Sequence, residues 1–120
     1  MSQEKSAVTA IGTCQFEELV LLHNAPVLVE FTAAWCAPCR MMRSVLQEVA
    51  GLFADRLRVV SLDVDQNAEL ADAFDVQSIP ALMLIARGRL LGAWVGYQTA
   101  GQLAANVESA LARGEVTGDA

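Results

Sequence analysis

Apolar residues along the chain repeat with more than one period, and the switches between periods mark out elements. Residues 7–11 form a short β-prone run. Phe16, Leu19, Val20 and Leu22 keep helical spacing, and Asn24-Ala25-Pro26 breaks the helix they predict. Val27-Leu28-Val29-Glu30-Phe31 is almost continuously apolar, the pattern of a strand covered on both faces. Pro38 suits the first turn of a following helix, where its missing N–H costs nothing. Met42, Val45, Leu46, Val49, Leu52 and Phe53 lay one apolar stripe along that helix. Residues 57–62 predict a third strand and residues 68–74 a short helix. Residues 81–86 and 90–95 predict two strands joined through Arg87-Gly88-Arg89, a hairpin signal. Thr99 is a candidate N-cap for a last helix over 99–112, in which Leu103, Val107 and Leu111 fall four apart. The order β-α-β-α-β-α-β-β-α predicts an α/β domain, with a mixed five-stranded central sheet flanked by four helices on both faces. The domain is expected over residues 7–112, with 1–6 and 113–120 as flexible tails.

At 120 residues and 54% hydrophobic, the chain can bury one core of this kind and has no room for a second. Its 8 basic and 14 acidic residues leave a net charge of −6. The seven arginines are scattered, so no basic stripe exists to neutralise nucleic-acid phosphates. No apolar run approaches the length of a membrane span. The opening Met-Ser-Gln-Glu-Lys lacks the basic-then-apolar layout of a secretory signal. A cytoplasmic, monomeric protein that binds neither nucleic acid nor membrane is expected.

The three cysteines are Cys14, Cys36 and Cys39. A stapled secreted domain usually carries a larger, even set. The C-x-x-C supplies only half of a four-ligand zinc site, and the single histidine, His23, stands at no metal spacing, so no metal is expected. Redox chemistry is the better reading. Residues i and i+3 of a helical turn lie roughly 5 Å apart at Cα, within reach of a disulfide. Cys36 stands where free N–H groups and the helix dipole stabilise a thiolate. Cys39, one turn inside, is more shielded. Cys36 is then the attacking nucleophile and Cys39 the resolving thiol, through a mixed disulfide with substrate.

Four segments in this order and spacing resemble the thioredoxin family: residues 29–39, ending in Trp35-Cys36-Ala37-Pro38-Cys39, then residues 62–67, Val76-Gln77-Ser78-Ile79-Pro80, and Val95-Gly96. The resemblance implies a thioredoxin-like fold and a protein-disulfide reductase that needs no bound cofactor. Its partners would be disulfide-containing client proteins and a flavin- and NADPH-dependent reductase that recharges the pair. It also implies a cis bond at Ile79-Pro80, with Pro80 keeping metals off the thiols and Ile79 presenting its backbone to an extended client. Val95 and Gly96 would form the far side of that groove, with Trp35, Ala37 and Pro38 beside the sulfurs. The chain departs from the family pattern in several places. Ala37 stands where Gly is usual and adds a methyl to the client path. Glu30 replaces a buried Asp, Ser61 a lysine that pairs with it, Thr32 an aromatic residue, and Ser44 a helix-kinking proline.

Glu30 carries its own signal, because a carboxyl inside an apolar strand is costly to ionise and its pKa should rise. Such a group could take the proton of Cys39, directly or through a water. The alternative turns Glu30 to solvent at the sheet margin. Trp35 can cover the disulfide and contact partners or simply pack in the core. Trp94 is equally an exposed contact or an edge-strand packing residue. Cys14 is expected to be packed and inert, and His23 to lie at a surface or helix end. Residues 63–74 fail as a calcium loop, with Ala68 where Gly is needed and Phe74 where Glu is needed. Two other functions fit the same residues: a disulfide oxidase or isomerase, which needs a more oxidising pair, and a non-catalytic interaction or holdase module using the apolar groove.

Overall fold

In the computed structural model, residues 8–118 are described, the last four of them by backbone alone. Five strands form one mixed sheet in the order β1-β3-β2-β4-β5. They are β1 (Val8–Ala10), β2 (Val27–Thr32), β3 (Arg58–Asp63), β4 (Ala81–Ala86) and β5 (Arg89–Val95). β3 runs parallel to both β1 and β2, whereas β4 is antiparallel to β2 and β5. The helices are α1 (Thr13–Phe16), α2 (Ala37–Leu52), α3 (Ala68–Ala73) and α4 (Ala100–Gly118). α1 widens into a π-turn over Glu17–Leu21, closed by Leu22 N–H donating to the Glu17 carbonyl at 2.8 Å. The expected fold class, a five-stranded mixed sheet with four helices, is the one observed.

Strand alternation divides the core in two. Leu28, Val59, Leu82 and Leu84 face α2 and α4, where Met42, Leu46, Val49, Leu103 and Val107 meet them. Val27, Val29, Phe31, Val60, Leu62 and Ile85 face the other way, against Phe16, Val20 and Ala71. β2 is therefore buried on both faces, as its unbroken apolar run requires. The Glu30 position shares the face of Leu28 and points beneath α2.

Local chemistry fixes the element ends. Thr99 caps α4 as expected, and Gln102 reciprocates: Gln102 N–H donates to Thr99 Oγ1 at 3.2 Å and Thr99 N–H to Gln102 Oε1 at 3.0 Å. Arg87 and Gly88 both take positive φ, 53° and 80°, the twist a two-residue hairpin needs. Asp75, at φ 57°, ends the turn after α3 and sends Val76–Pro80 toward the cysteines.

Two expectations are corrected and one open alternative is decided. α4 continues through residues 113–118, which were expected to be a tail. Gly114 is a contact glycine within this helix: a Cβ there would lie 2.6 Å from Leu91 Cδ1. Arg113 adds to the docking by donating from Nη2 to the Leu91 carbonyl of β5 at 3.4 Å. The expected tail at 1–6 lies outside the described residues, as do 119 and 120. Leu52 belongs to the predicted stripe yet is exposed at the last turn of α2, while Phe53, just past it, is buried. Trp94 proves to be a packing residue, half-buried against the α2–α4 side of the core.

Gly92 makes room for that ring: a Cβ at Gly92 would stand 2.6 Å from Trp94 Cη2 and 3.3 Å from Ala110 Cβ. With Trp94 packed on one side and α4 on the other, Gly92→Ala should destabilise the domain by about 1–2 kcal/mol. Urea unfolding followed by tryptophan fluorescence checks this, and an unchanged midpoint would show that the ring moves aside freely.

Candidate active site

The parallel strands β2 and β3 and the start of α2 build the site. β2 ends at Thr32, and the chain turns through Ala33-Ala34-Trp35 before α2 begins. Cys36 is the N-cap of α2, in extended conformation, and its sulfur accepts from Cys39 N–H at 3.2 Å. Helix start and sulfur are thus joined by one of the N–H groups that a helix leaves unpaired. Pro38 lies in the first turn without disturbing it. The turn is pinned by Cys36 N–H donating to the Ala33 carbonyl at 3.2 Å and Arg40 Nη1 to the Ala34 carbonyl at 2.9 Å.

Cys36 and Cys39 are joined as a disulfide, with Cα atoms 5.2 Å apart, inside the range such a bond requires. Cys36 is 4% exposed and Cys39 1%, so the small opening to solvent lies at Cys36. Ala37 and Pro38 are exposed beside it. Ile79 and Val64 pack against the pair, and the Ile79 carbonyl is 3.9 Å from Cys36 Sγ. The Ile79-Pro80 peptide is cis. The Pro80 carbonyl accepts from Gly96 N–H at 2.8 Å, which brings the end of β5 alongside. Gly96 needs its glycine for φ +97°, and the space where a Cβ would stand is open. Val95 and Tyr97 flank it, both exposed.

Trp35 is 67% exposed, which rules out core packing. Its Nε1 donates to Asp65 Oδ2 at 2.8 Å, fixing the ring beside the disulfide. Trp35, Val64, Val76 and Ile79 line an open cleft of about 390 Å³ together with Gln77 and Ser78.

Glu30 is 3% exposed, so its carboxyl does not reach solvent at the sheet margin. Oε2 has no hydrogen-bond partner. It faces a cavity of about 300 Å³ between the sheet and α2. Small side chains at Thr32, Ala33, Ala34 and Ser61 leave this space, and Arg43, Leu46 and Gln47 of α2 close it. Burial pushes the Glu30 pKa from 4.5 up to about 7, and the Arg43 guanidinium acts in the opposite direction.

The structure places Ala37, Pro38 and Ile79 beside the cysteine pair and Glu30 at a cavity whose lining shares Ala33 with it; Cys14, expected to be packed, is exposed on α1. His23 lines a separate hollow with Thr9, Asp55 and Arg58. Among the described residues no three His, Cys, Asp or Glu side chains gather to hold a metal, and no helix is long and apolar enough to cross a membrane. Asp63 serves as a turn acceptor instead, its Oδ1 receiving Asp65 N–H at 2.8 Å and Gln66 N–H at 3.2 Å. Sequence reasoning missed the Asp65 bond to Trp35, the exposed Tyr97, and Arg43. A signal for Arg43 existed: it stands four residues after Cys39, on the same side of α2.

Comparison with known proteins agrees with this geometry. The thioredoxin family profile matches residues 7–109. The chain is 48% identical over 88 residues to a thioredoxin of Alicyclobacillus acidocaldarius subsp. acidocaldarius, spanning 73% of this chain and 84% of that one. It is 46% identical over 93 residues to a thioredoxin of Mycobacterium tuberculosis, covering 78% and 80% of the two chains. Against a thioredoxin of Acidithiobacillus ferridurans it is 38% identical over 105 residues, 88% of this chain and 97% of the relative. With the fold, the half-open cysteine pair and these relatives in agreement, the chain belongs to the thioredoxin family.

Proposed function

We propose that the chain reduces disulfides in client proteins, with Cys36 as nucleophile, Cys39 as resolving thiol and Glu30 as proton acceptor. The observation that carries this reading is the disulfide at the start of α2, with its small opening to solvent at Cys36; the buried Glu30 carboxyl faces a cavity that reaches Ala33, which packs against the pair. In the reduced protein the Cys36 thiolate attacks a client disulfide, and one client sulfur departs with a proton from solvent. Cys39 gives its proton to the Glu30 carboxylate, directly or through water in the cavity, and its sulfur attacks Cys36. The bond between Cys36 and client breaks, the Cys36–Cys39 bond forms, and the second client sulfur leaves. Two electrons have passed to the client.

Trp35, Ala37, Pro38, Ile79, Pro80, Val95 and Gly96 are the client-binding residues of this proposal. The open cleft beside Trp35 and the exposed Val95 support it, since both place apolar surface next to the sulfurs. A flavin- and NADPH-dependent reductase would restore the dithiol. An exposed, unpaired Cys14 fits a compartment that keeps thiols reduced, the cytoplasm. Insulin reduction combined with titration in glutathione buffers tests the direction of flow. Rapid precipitation of insulin by the dithiol form and a strongly reducing pair are expected. A pair that stays reduced in oxidising glutathione mixtures would instead identify an oxidase.

A further inference from the structure

We propose that Arg43 is a positioning residue that holds Glu30 ready to accept a proton, through the cavity the two share. The inference rests on the reading of Glu30 as proton acceptor given above.

The groups around Glu30 are few. β2 contributes Thr32 and β3 contributes Ser61 and Asp63, with Ser61 directly paired to Glu30 across the strands. β1 contributes Val8, while α2 contributes Arg43, Leu46 and Gln47. Two of these side chains besides Glu30 are charged, Arg43 and Asp63. The Asp63 carboxylate already accepts two backbone N–H groups of the turn that follows it. The strand opposite Glu30 therefore supplies a neutral serine, and the cationic lining comes from the helix. Its source lies one turn beyond Cys39, so the same helical face carries the proton donor and the cation that favours the acceptor.

Arg43 is well placed in a second respect. The residues three and four away on either side are Cys39, Arg40, Leu46 and Gln47, none of them acidic, so the helix offers Arg43 no ion partner of its own. An exposed arginine with no competing carboxylate at helical spacing can extend its long stem along the cavity mouth and turn its charge inward. A positive charge there favours the ionised form of a carboxyl that burial alone would keep protonated. Without it, Glu30 would hold its proton over more of the neutral range and Cys39 would lose its acceptor.

The test uses the full chain and two readouts: the pH profile of release of a mixed disulfide, and the carbon-13 shift of the Glu30 carboxyl. Arg43→Ala should move both midpoints to higher pH by about one unit, and slow release several-fold at pH 7. Arg43→Lys should restore the parental profile and Arg43→Gln should not. Adding Ser61→Lys to Arg43→Ala should restore it as well, since that ammonium reaches Glu30 from the paired strand. Parental midpoints in Arg43→Ala, with the profile still lost in Glu30→Gln, would overturn the role of Arg43 alone. A Glu30→Gln variant that keeps the full parental profile would overturn the underlying reading of Glu30. Because Arg43 is exposed, its variants should fold, and circular dichroism verifies it.

Discussion

Cys36→Ser should lower protein-disulfide reduction by at least about a thousandfold, because no other group at the opening can supply the nucleophile. Cys39→Ser should fail differently. Its Cys36 still sits at the helix start and still attacks, but the resolving thiol is gone, so the protein should stop as a covalent adduct with its client. The asymmetry follows from position: the opening to solvent lies at Cys36, and Cys39 N–H points at the Cys36 sulfur rather than the reverse. That N–H, with the helix dipole behind it, stabilises a thiolate at Cys36 and offers Cys39 nothing equivalent. Non-reducing gels after mixing each variant with insulin distinguish the two. Adducts from Cys36→Ser, and none from Cys39→Ser, would reverse the assignment. A Cys36→Ser variant that retained all cellular function would favour the interaction-module reading instead.

Glu30→Gln should change stability in a way that depends on pH. In the unfolded chain this carboxyl titrates at its ordinary value of 4.5, and in the folded protein at about 7. Between those two values the folded protein keeps a proton that the unfolded chain has lost. Parental stability therefore falls as pH rises from 4.5 to 7 and levels off above. The size of that fall is roughly 3 kcal/mol. The glutamine variant has no such proton, so the stability difference between variant and parent should grow in the variant's favour by the same amount across that window. Denaturant unfolding of the oxidised proteins at pH 4 and pH 8 measures it. A constant difference would mean that Glu30 is far better solvated than its burial indicates. The same substitution should remove the neutral limb from the rate of mixed-disulfide release. A group that weakens the fold at working pH while speeding one step is the expected form of a stability–activity trade.

Much of this was readable in the residues themselves, for reasons that differ from place to place. β2 and the buried turns of α2 were legible because a strand covered on both faces and a helix stripe each impose a distinct period. The hairpin was legible because Arg87-Gly88 falls between two apolar runs. The cysteine pair was legible because three-residue spacing on a helix start has few other uses. The length of α4 was not. A glycine that stops one helix and a glycine that lets another helix touch a strand look alike until Leu91 is placed against Gly114. Leu52 was misplaced because a stripe does not reveal where the neighbouring sheet stops covering it. Glu30 was half legible: burial follows from the strand, but the empty space beside it comes from small residues on three separate segments. Asp65 escaped because its bond to Trp35 joins two separate segments; Arg43 escaped because its spacing from Cys39 along α2 does not reveal that it shares a cavity with Glu30 of β2.

The narrow opening at Cys36 has a kinetic corollary. There is one doorway to the sulfur, and whichever molecule donates electrons must use the same threshold as the molecule that takes them. The two visitors cannot be aboard together, so turnover is a shuttle of alternating half-reactions. The charge waits inside the protein between calls, stored as nothing more than the presence or absence of a single bond.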